Sequence, residues 1–106
     1  MVYTIEQLKN YIGPVANKYN LNAVYLFGSY ARGDATDDSD VDILVDKSGT
    51  NLTGLYAMGG LYNDLCDAVD KKIDLVSLGA LEQESTVERT PWFIENVINE
   101  KVQIYG

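Results

Sequence analysis

Histidine is absent from this 106-residue sequence, and cysteine occurs only once, as Cys66. Without histidine the chain cannot form a Ser-His-Asp triad, a Cys-His pair or a histidine-ligated zinc site. A single cysteine excludes an intrachain disulfide, and we interpret Cys66 as a small core residue on the apolar side of a helix. Any bound metal must therefore be held by oxygen atoms, which favours magnesium, manganese or calcium.

Positive charge is also scarce, because 8 Lys and Arg residues face 16 Asp and Glu residues and the formal net charge is −8. Such a surface does not attract a phosphate backbone, so we expect no direct binding of nucleic acid. An anionic substrate would need local neutralisation, either by metal ions or by backbone N–H groups.

Long apolar runs are missing as well, since none approaches the ~20 residues that a membrane-spanning helix needs. The N-terminus shows no basic stretch followed by an apolar one, so no signal peptide is predicted and we expect a cytoplasmic protein. The chain is 106 residues long and 46% hydrophobic, which suits one domain, residues 1–106, with its own core.

Short apolar segments predict the strands. The run Ala23–Phe27 is continuous, which favours a strand buried on both faces. Further strands are predicted at residues 41–45, 72–76 and 102–105. Because these segments alternate with helical patterns, we predict an α/β (α+β) fold, a mixed sheet of three to four strands with helices packed against it.

Helical spacing of apolar residues predicts the helices between those strands. Thr4 and Gln7 have the spacing of a capping box at the start of the first helix. Pro14 inside that pattern predicts a kink or two short helices. A second helix is predicted at residues 52–69, residues 80–88 are ambiguous, and Thr90-Pro91 opens a third helix. Its predicted buried face is Trp92, Phe93, Val97 and Ile98.

Residues 28–45, GSYARGDATDDSDVDILV, hold five aspartates within nine positions. A phosphate-binding P-loop is excluded, because Asp34 follows the second glycine where that motif requires lysine. A calcium-binding EF-hand loop is also excluded. Ile43 stands where that loop needs glycine, and Gly49 stands where it needs a bidentate glutamate.

The remaining interpretation places Asp40 and Asp42 on one face of a strand, because side chains two apart point the same way. Asp74 joins them if the third strand pairs beside the second, and three carboxylates can then form a two-magnesium site for phosphoryl chemistry. Gly28 and Ser29, in the preceding turn, would hold phosphates through the backbone and the hydroxyl. The alternative is that Asp40 and Asp42 lie on a strand edge exposed to solvent. That alternative leaves the repulsion between their carboxylates uncompensated.

Other polar and aromatic residues have two interpretations each. Arg32 is a candidate phosphate ligand, although a salt bridge that ties down the acidic loop is favoured. The remaining aspartates of the stretch suit turn and capping roles. A partner surface or ordinary packing would each explain Tyr56, Tyr62 and Trp92.

Gly28-Ser29, ten further residues and then Asp40-x-Asp42 resembles the signature of the DNA polymerase β-like nucleotidyltransferase superfamily. The string FGSYARGDATDDSDVDILV is most similar to the minimal nucleotidyltransferases, which have about this length. The resemblance extends to the helix before the motif, to KKIDLV around Asp74 and to the closing INEKVQIYG.

The resemblance implies a nucleotidyltransferase fold and a role for each matched residue. Gly28 and Ser29 would contact the triphosphate, and Asp40 and Asp42 would bind two Mg²⁺ ions, with Mn²⁺ as the alternative. Asp74 would bind one ion and help to deprotonate the attacking hydroxyl. The attack would fall on the α-phosphorus of ATP, transferring AMP and releasing pyrophosphate.

The same resemblance implies a partner, since minimal nucleotidyltransferases are typically paired with a HEPN-domain toxin and act as its antitoxin, some by adenylylating a tyrosine. Transfer to a small molecule, as in aminoglycoside nucleotidyltransferases, is the alternative within the same chemistry. A third possibility involves no nucleotidyl transfer: the chain would be a non-catalytic subunit that binds a HEPN partner. The sequence leaves the acceptor, the preferred base and the oligomeric state open, with a homodimer or a hetero-oligomer both compatible.

Overall fold

The computed structural model describes residues 2–50, 54–77 and 99–106. Along the chain these residues form α1 (Ile5–Lys18), β1 (Ala23–Phe27), α2 (Gly28–Arg32), β2 (Val41–Asp46), α3 (Gly54–Val69), β3 (Ile73–Ser77) and β4 (Val102–Tyr105). The predictions for residues 80–88 and for the helix after Thr90-Pro91, with its apolar face, lie outside the described residues. The predicted helix start at Leu52 and the side chain of Tyr56 lie outside them too.

The four strands form one sheet in the order β3-β2-β1-β4. Strand β1 is antiparallel to both β2 and β4, whereas β2 and β3 are parallel. A parallel pair needs a crossover connection, and α3 lies in the connection between β2 and β3. The mixed sheet and the position of the third strand beside the second are as the sequence predicts.

Helix α1 begins at the predicted capping box. The backbone N–H of Gln7 donates to Oγ1 of Thr4 at 3.0 Å, and the N–H of Thr4 donates to Oε1 of Gln7 at 2.9 Å. The alternative of two short helices is wrong, because one helix runs through Pro14. Leu8, Ile12 and Ala16 are fully buried on both sides of the proline, and we attribute the continuity of the helix to their packing.

The main core lies between the two longer helices and one face of the sheet. Among the described residues, no helix is both long enough and apolar enough to cross a membrane. The sheet contributes alternate residues to this core, while their neighbours point to the opposite face. The core residues of α1, α3 and the strands are Leu8, Ile12, Ala16, Leu61, Leu65, Val69, Val24, Leu26, Val41, Ile43, Val45, Ile73 and Ile104.

Candidate active site

The pairing of β2 with β3 brings two of the predicted aspartates side by side. Asp42 is the register partner of Asp74 in this parallel pair, so both side chains leave the sheet on the same face. Their neighbours Val41 and Ile43 are fully buried on the opposite face, where they pack into the main core. The burial of Val41 and Ile43 in the core therefore fixes where the carboxylate of Asp42 points.

Asp42 is half-buried, and its pKa is raised from 3.8 to about 6. Burial is the largest cause, because it disfavours the charged form. The negative charges of Asp74 and Asp40 raise the pKa of Asp42 further, while the positive charge of Arg32 lowers it. All three residues therefore lie close enough to Asp42 to act on its charge.

Gly28, the first residue of α2, packs directly against this carboxyl group. Its φ of +69° lies in the left-handed region, which favours glycine. A Cβ added at Gly28 would overlap Oδ2 of Asp42 and lie 3.1 Å from its Cγ. Ser29 follows immediately, and Tyr30 is buried in the core, where it anchors the short helix. The structure thus places the predicted phosphate turn beside the predicted metal ligand.

The loop between α2 and β2 is held by its own polar residues and by Lys71, which follows α3. The N–H of Thr36 donates to Oγ of Ser39 at 2.9 Å, and Nζ of Lys71 donates to the carbonyl of Asp37 at 3.0 Å. These contacts agree with turn roles for the loop residues. At the end of the loop, Oδ2 of Asp40 lies 4.0 Å from Nζ of the exposed Lys72, a weak surface ion pair.

Arg32 makes the expected salt bridge to the acidic loop and a second one that the sequence did not predict. Its Nε donates to Oδ2 of Asp34 at 3.4 Å, and its Nη1 donates to Oε2 of Glu100 at 3.2 Å. Glu100 stands 68 positions after Arg32, just before β4. No local pattern around Glu100 distinguishes it from a solvated glutamate, so only the folded chain shows the contact.

Tyr62 is a second residue that the sequence did not connect with the aspartates. It is 37% exposed on α3. The neighbouring Cys66 side chain is the main cause that raises the pKa of Tyr62, and the charges of Asp40 and Asp74 also raise it. Cys66 is partly buried and packs against the core, as predicted.

The donor set fits a cation that prefers oxygen, because the candidate ligands are carboxylates and the chain has no histidine. The half-buried charge of Asp42, with like charges nearby, is also one that a cation would stabilise. In the present side-chain conformations, however, the described residues contain no group of three or more acidic or thiol side chains that are close enough to hold one ion. Asp42 and Asp74 are thus paired by the sheet, while a closed three-carboxylate group is not formed.

Comparison with known proteins extends the sequence motif to the whole chain. Residues 6–106 match the protein family described as "Polymerase beta, Nucleotidyltransferase". The chain is 33% identical over 76 residues to a Methanocaldococcus jannaschii protein named "Putative protein adenylyltransferase". That alignment covers 72% of this chain and 76% of the relative.

Solved structures show the same fold. A crystal structure of a toxin–antitoxin with AMP-PNP matches with a TM-score of 0.70 and 27% identity, covering 92% of this chain and 73% of that chain. A toxin–antitoxin MntA–HpeT mutant, in which two aspartates two positions apart are changed to glutamate, matches with a TM-score of 0.68 and 25% identity, over the same shares of the two chains. The chain therefore belongs to the polymerase β nucleotidyltransferase family, as an enzyme of the minimal nucleotidyltransferase type.

Proposed function

We propose that this protein is a cytoplasmic, magnesium-dependent adenylyltransferase that moves AMP from ATP to a hydroxyl of a HEPN-domain toxin and so acts as the antitoxin. The observation that carries the proposal is the pairing of Asp42 with Asp74 on adjacent strands, with the Gly28-Ser29 turn packed against Asp42. A nucleotidyltransferase needs such acidic side chains beside a phosphate-binding turn.

The comparisons support both the reaction and the partner. The M. jannaschii relative is named as a protein adenylyltransferase, and the toxin–antitoxin structure contains AMP-PNP, an ATP analogue. The two aspartates changed in the MntA–HpeT mutant have the same spacing as Asp40 and Asp42. These points favour AMP as the transferred group and a toxin as the acceptor.

Asp40, Asp42 and Asp74 would hold two Mg²⁺ ions, with Mn²⁺ as the alternative. When bound, the ions supply positive charge that neutralises the phosphates and polarises the attacking hydroxyl. Asp42 is the residue whose half-buried charge gains most from a cation, since burial is the largest cause of its raised pKa. A bound cation would favour the ionised carboxylate and lower that pKa.

The remaining roles belong to the turn, to Arg32 and to Asp74. Gly28 lets the backbone approach the phosphates, the Ser29 hydroxyl donates a hydrogen bond to them, and Arg32 is a candidate cationic ligand. Asp74, the exposed member of the pair, accepts the proton of the acceptor hydroxyl. The acceptor oxygen forms a bond to the α-phosphorus, and the bond from that phosphorus to the β-phosphate bridging oxygen breaks, so that pyrophosphate leaves with the electron pair.

Incubation of the full chain with labelled ATP, Mg²⁺ and a co-encoded HEPN partner tests the proposal, with mass spectrometry to locate the label. We expect AMP on a partner hydroxyl, and we expect Asp42→Asn to abolish it. Asp46→Asn is the matched control, because Asp46 lies on the same strand and the same face and bonds to Ser48 and Asn22 instead. Transfer to an aminoglycoside without the partner would favour the small-molecule alternative, and no transfer to any protein would refute the proposal.

A further inference from the structure

Arg32 occupies a position from which it can reach the phosphate turn. It is the last residue of α2, four positions after Gly28 and three after Ser29. Residues at these spacings share one side of a helix, and long helical side chains lean toward the N-terminal turn. The positive charge of Arg32 also lowers the pKa of the neighbouring Asp42 carboxyl, which places the guanidinium near the aspartates.

The guanidinium is nevertheless held by carboxylates at the rim of the site. It contacts Asp34 through Nε at 3.4 Å and Glu100 through Nη1 at 3.2 Å. The side chains of Arg32 and Glu100 are 46% and 37% exposed, and exposed pairs of this kind are worth up to about 1 kcal/mol. A triphosphate carries more negative charge and can accept two parallel N–H bonds, so it can displace either carboxylate.

The two carboxylates differ in where they are attached. Asp34 is two positions from Arg32 and moves with the same turn. Glu100 belongs to the chain just before β4, at the far end of the sequence. Glu100 is therefore the partner that fixes the guanidinium relative to the rest of the fold, on the side of α2 where the C-terminal segment enters the sheet.

We propose that Glu100 is a positioning residue that holds the Arg32 guanidinium away from the phosphates until a nucleoside triphosphate displaces it. Glu100 thereby lowers the affinity of the enzyme for the nucleotide and eases its release. This inference rests on the proposed function, because it assigns a resting partner to a ligand of the same site.

Calorimetric titration of the full chain with ATP and Mg²⁺ tests the role of Glu100 without requiring an acceptor. We expect Glu100→Gln to bind ATP about two- to fivefold more tightly than the wild type, since the competing ion pair is lost. Glu6→Gln is the matched control, because it removes the same charge from an exposed residue in the first turn of α1. We expect it to leave the affinity unchanged.

A second background separates competition for Arg32 from simple repulsion between Glu100 and the phosphates. In an Arg32→Gln protein there is no guanidinium to hold, so adding Glu100→Gln should no longer tighten ATP binding. Glu100→Asp keeps the charge but shortens the side chain, and it should tighten binding by less than Glu100→Gln does. This variant also tests the inference should Glu100→Gln fail to fold.

The outcomes distinguish this inference from the function on which it rests. Unchanged or weaker ATP binding by Glu100→Gln, or tightening that persists in the Arg32→Gln background, overturns the role of Glu100 and leaves the proposed function standing. A wild type that binds ATP but transfers AMP to no acceptor refutes the proposed function alone. A wild type that binds no ATP in the presence of Mg²⁺ overturns both.

Discussion

Side chains along the six residues of β2 point alternately to two faces of the sheet, and these two faces belong to different parts of the molecule. Val41, Ile43 and Val45 are fully buried against α1 and α3, whereas Asp42 and Asp46 point to the other face and are only half-buried, on either side of the fully buried Leu44. Because side chains alternate strictly along a strand, packing of the first set fixes the direction of the second. The main core thus aims the carboxylate of Asp42 without any additional element of structure.

The faces also differ in what they contribute to stability. Burial of the apolar face stabilises the fold by roughly 1.5–3 kcal/mol for each large side chain. On the acidic face, burial works against Asp42, because it raises the pKa of the carboxyl group and so disfavours the charge that a metal ligand needs. On this one strand, therefore, the apolar residues stabilise the fold, whereas Asp42 lowers stability in order to serve the proposed function.

The largest effect expected from this contrast is on the core face. Ile43→Ala removes a side chain with 0% exposure, and we expect the free energy of unfolding to fall by about 3 kcal/mol, from lost burial and the remaining cavity. Urea denaturation measures this change. Val2→Ala truncates an apolar residue that is 44% exposed and should change stability by no more than about 0.5 kcal/mol. Equal losses in the two variants would contradict the assignment of Ile43 to the core.

An intermediate effect is expected at the junction of the two faces, where Gly28 meets Asp42. Gly28→Ala should lower the free energy of unfolding by about 2 kcal/mol, through left-handed backbone strain and overlap with the carboxyl group. The same substitution in an Asp42→Ala background retains the strain but loses the overlap. A smaller loss in that background confirms the contact between the two residues, and an identical loss would leave strain as the only cause.

Local patterns in the sequence were enough to predict much of this arrangement. The continuous apolar run at residues 23–27 and the apolar residues Ile43, Leu44 and Val45 predict β1 and β2, because the signal of a strand is encoded within a few residues. The capping box at Thr4 is equally local, since its two hydrogen bonds join residues three apart. The approach of Asp74 to Asp42 needed one further assumption, that β3 pairs beside β2, which the sheet order confirms.

Contacts between distant residues could not be predicted in this way. The Arg32–Glu100 ion pair joins positions 68 apart, and nothing in the sequence around Glu100 distinguishes it from an ordinary surface charge. Pro14 was expected to interrupt or kink α1, but a local helix penalty of about 3 kcal/mol can be offset by the burial of Leu8, Ile12 and Ala16 around it. The sequence predicts that Asp40, Asp42 and Asp74 together hold two ions, and this stays a prediction, because the described residues contain no group of three such side chains close enough to hold an ion.

The smallest expected effect is also the sharpest test of the acidic face, because two aspartates of β2 should respond with opposite sign. The pKa of Asp42 is raised to about 6, so the folded protein binds this proton more tightly than the unfolded chain does. Ionised Asp42 therefore destabilises the fold at neutral pH, and the penalty fades as the pH falls from about 6 toward 3.8. After allowance for its partial exposure, we expect Asp42→Asn to stabilise the metal-free protein by about 1 kcal/mol at neutral pH.

Asp46 provides the matched comparison four residues further along the same face. Hydrogen bonds from the Ser48 hydroxyl, the Asn22 side chain and the Ser48 backbone N–H lower the pKa of Asp46 below 3.8. Its ionised form therefore stabilises the fold above pH 3.8, and this contribution is lost as the pH falls below that value. Asp46→Asn should thus lower the melting temperature at neutral pH where Asp42→Asn raises it, and both differences should shrink in acid. Thermal unfolding of the two variants with EDTA across this pH range measures the contrast, and shifts of the same sign would show that the two carboxylates do not differ in their surroundings as the structure indicates.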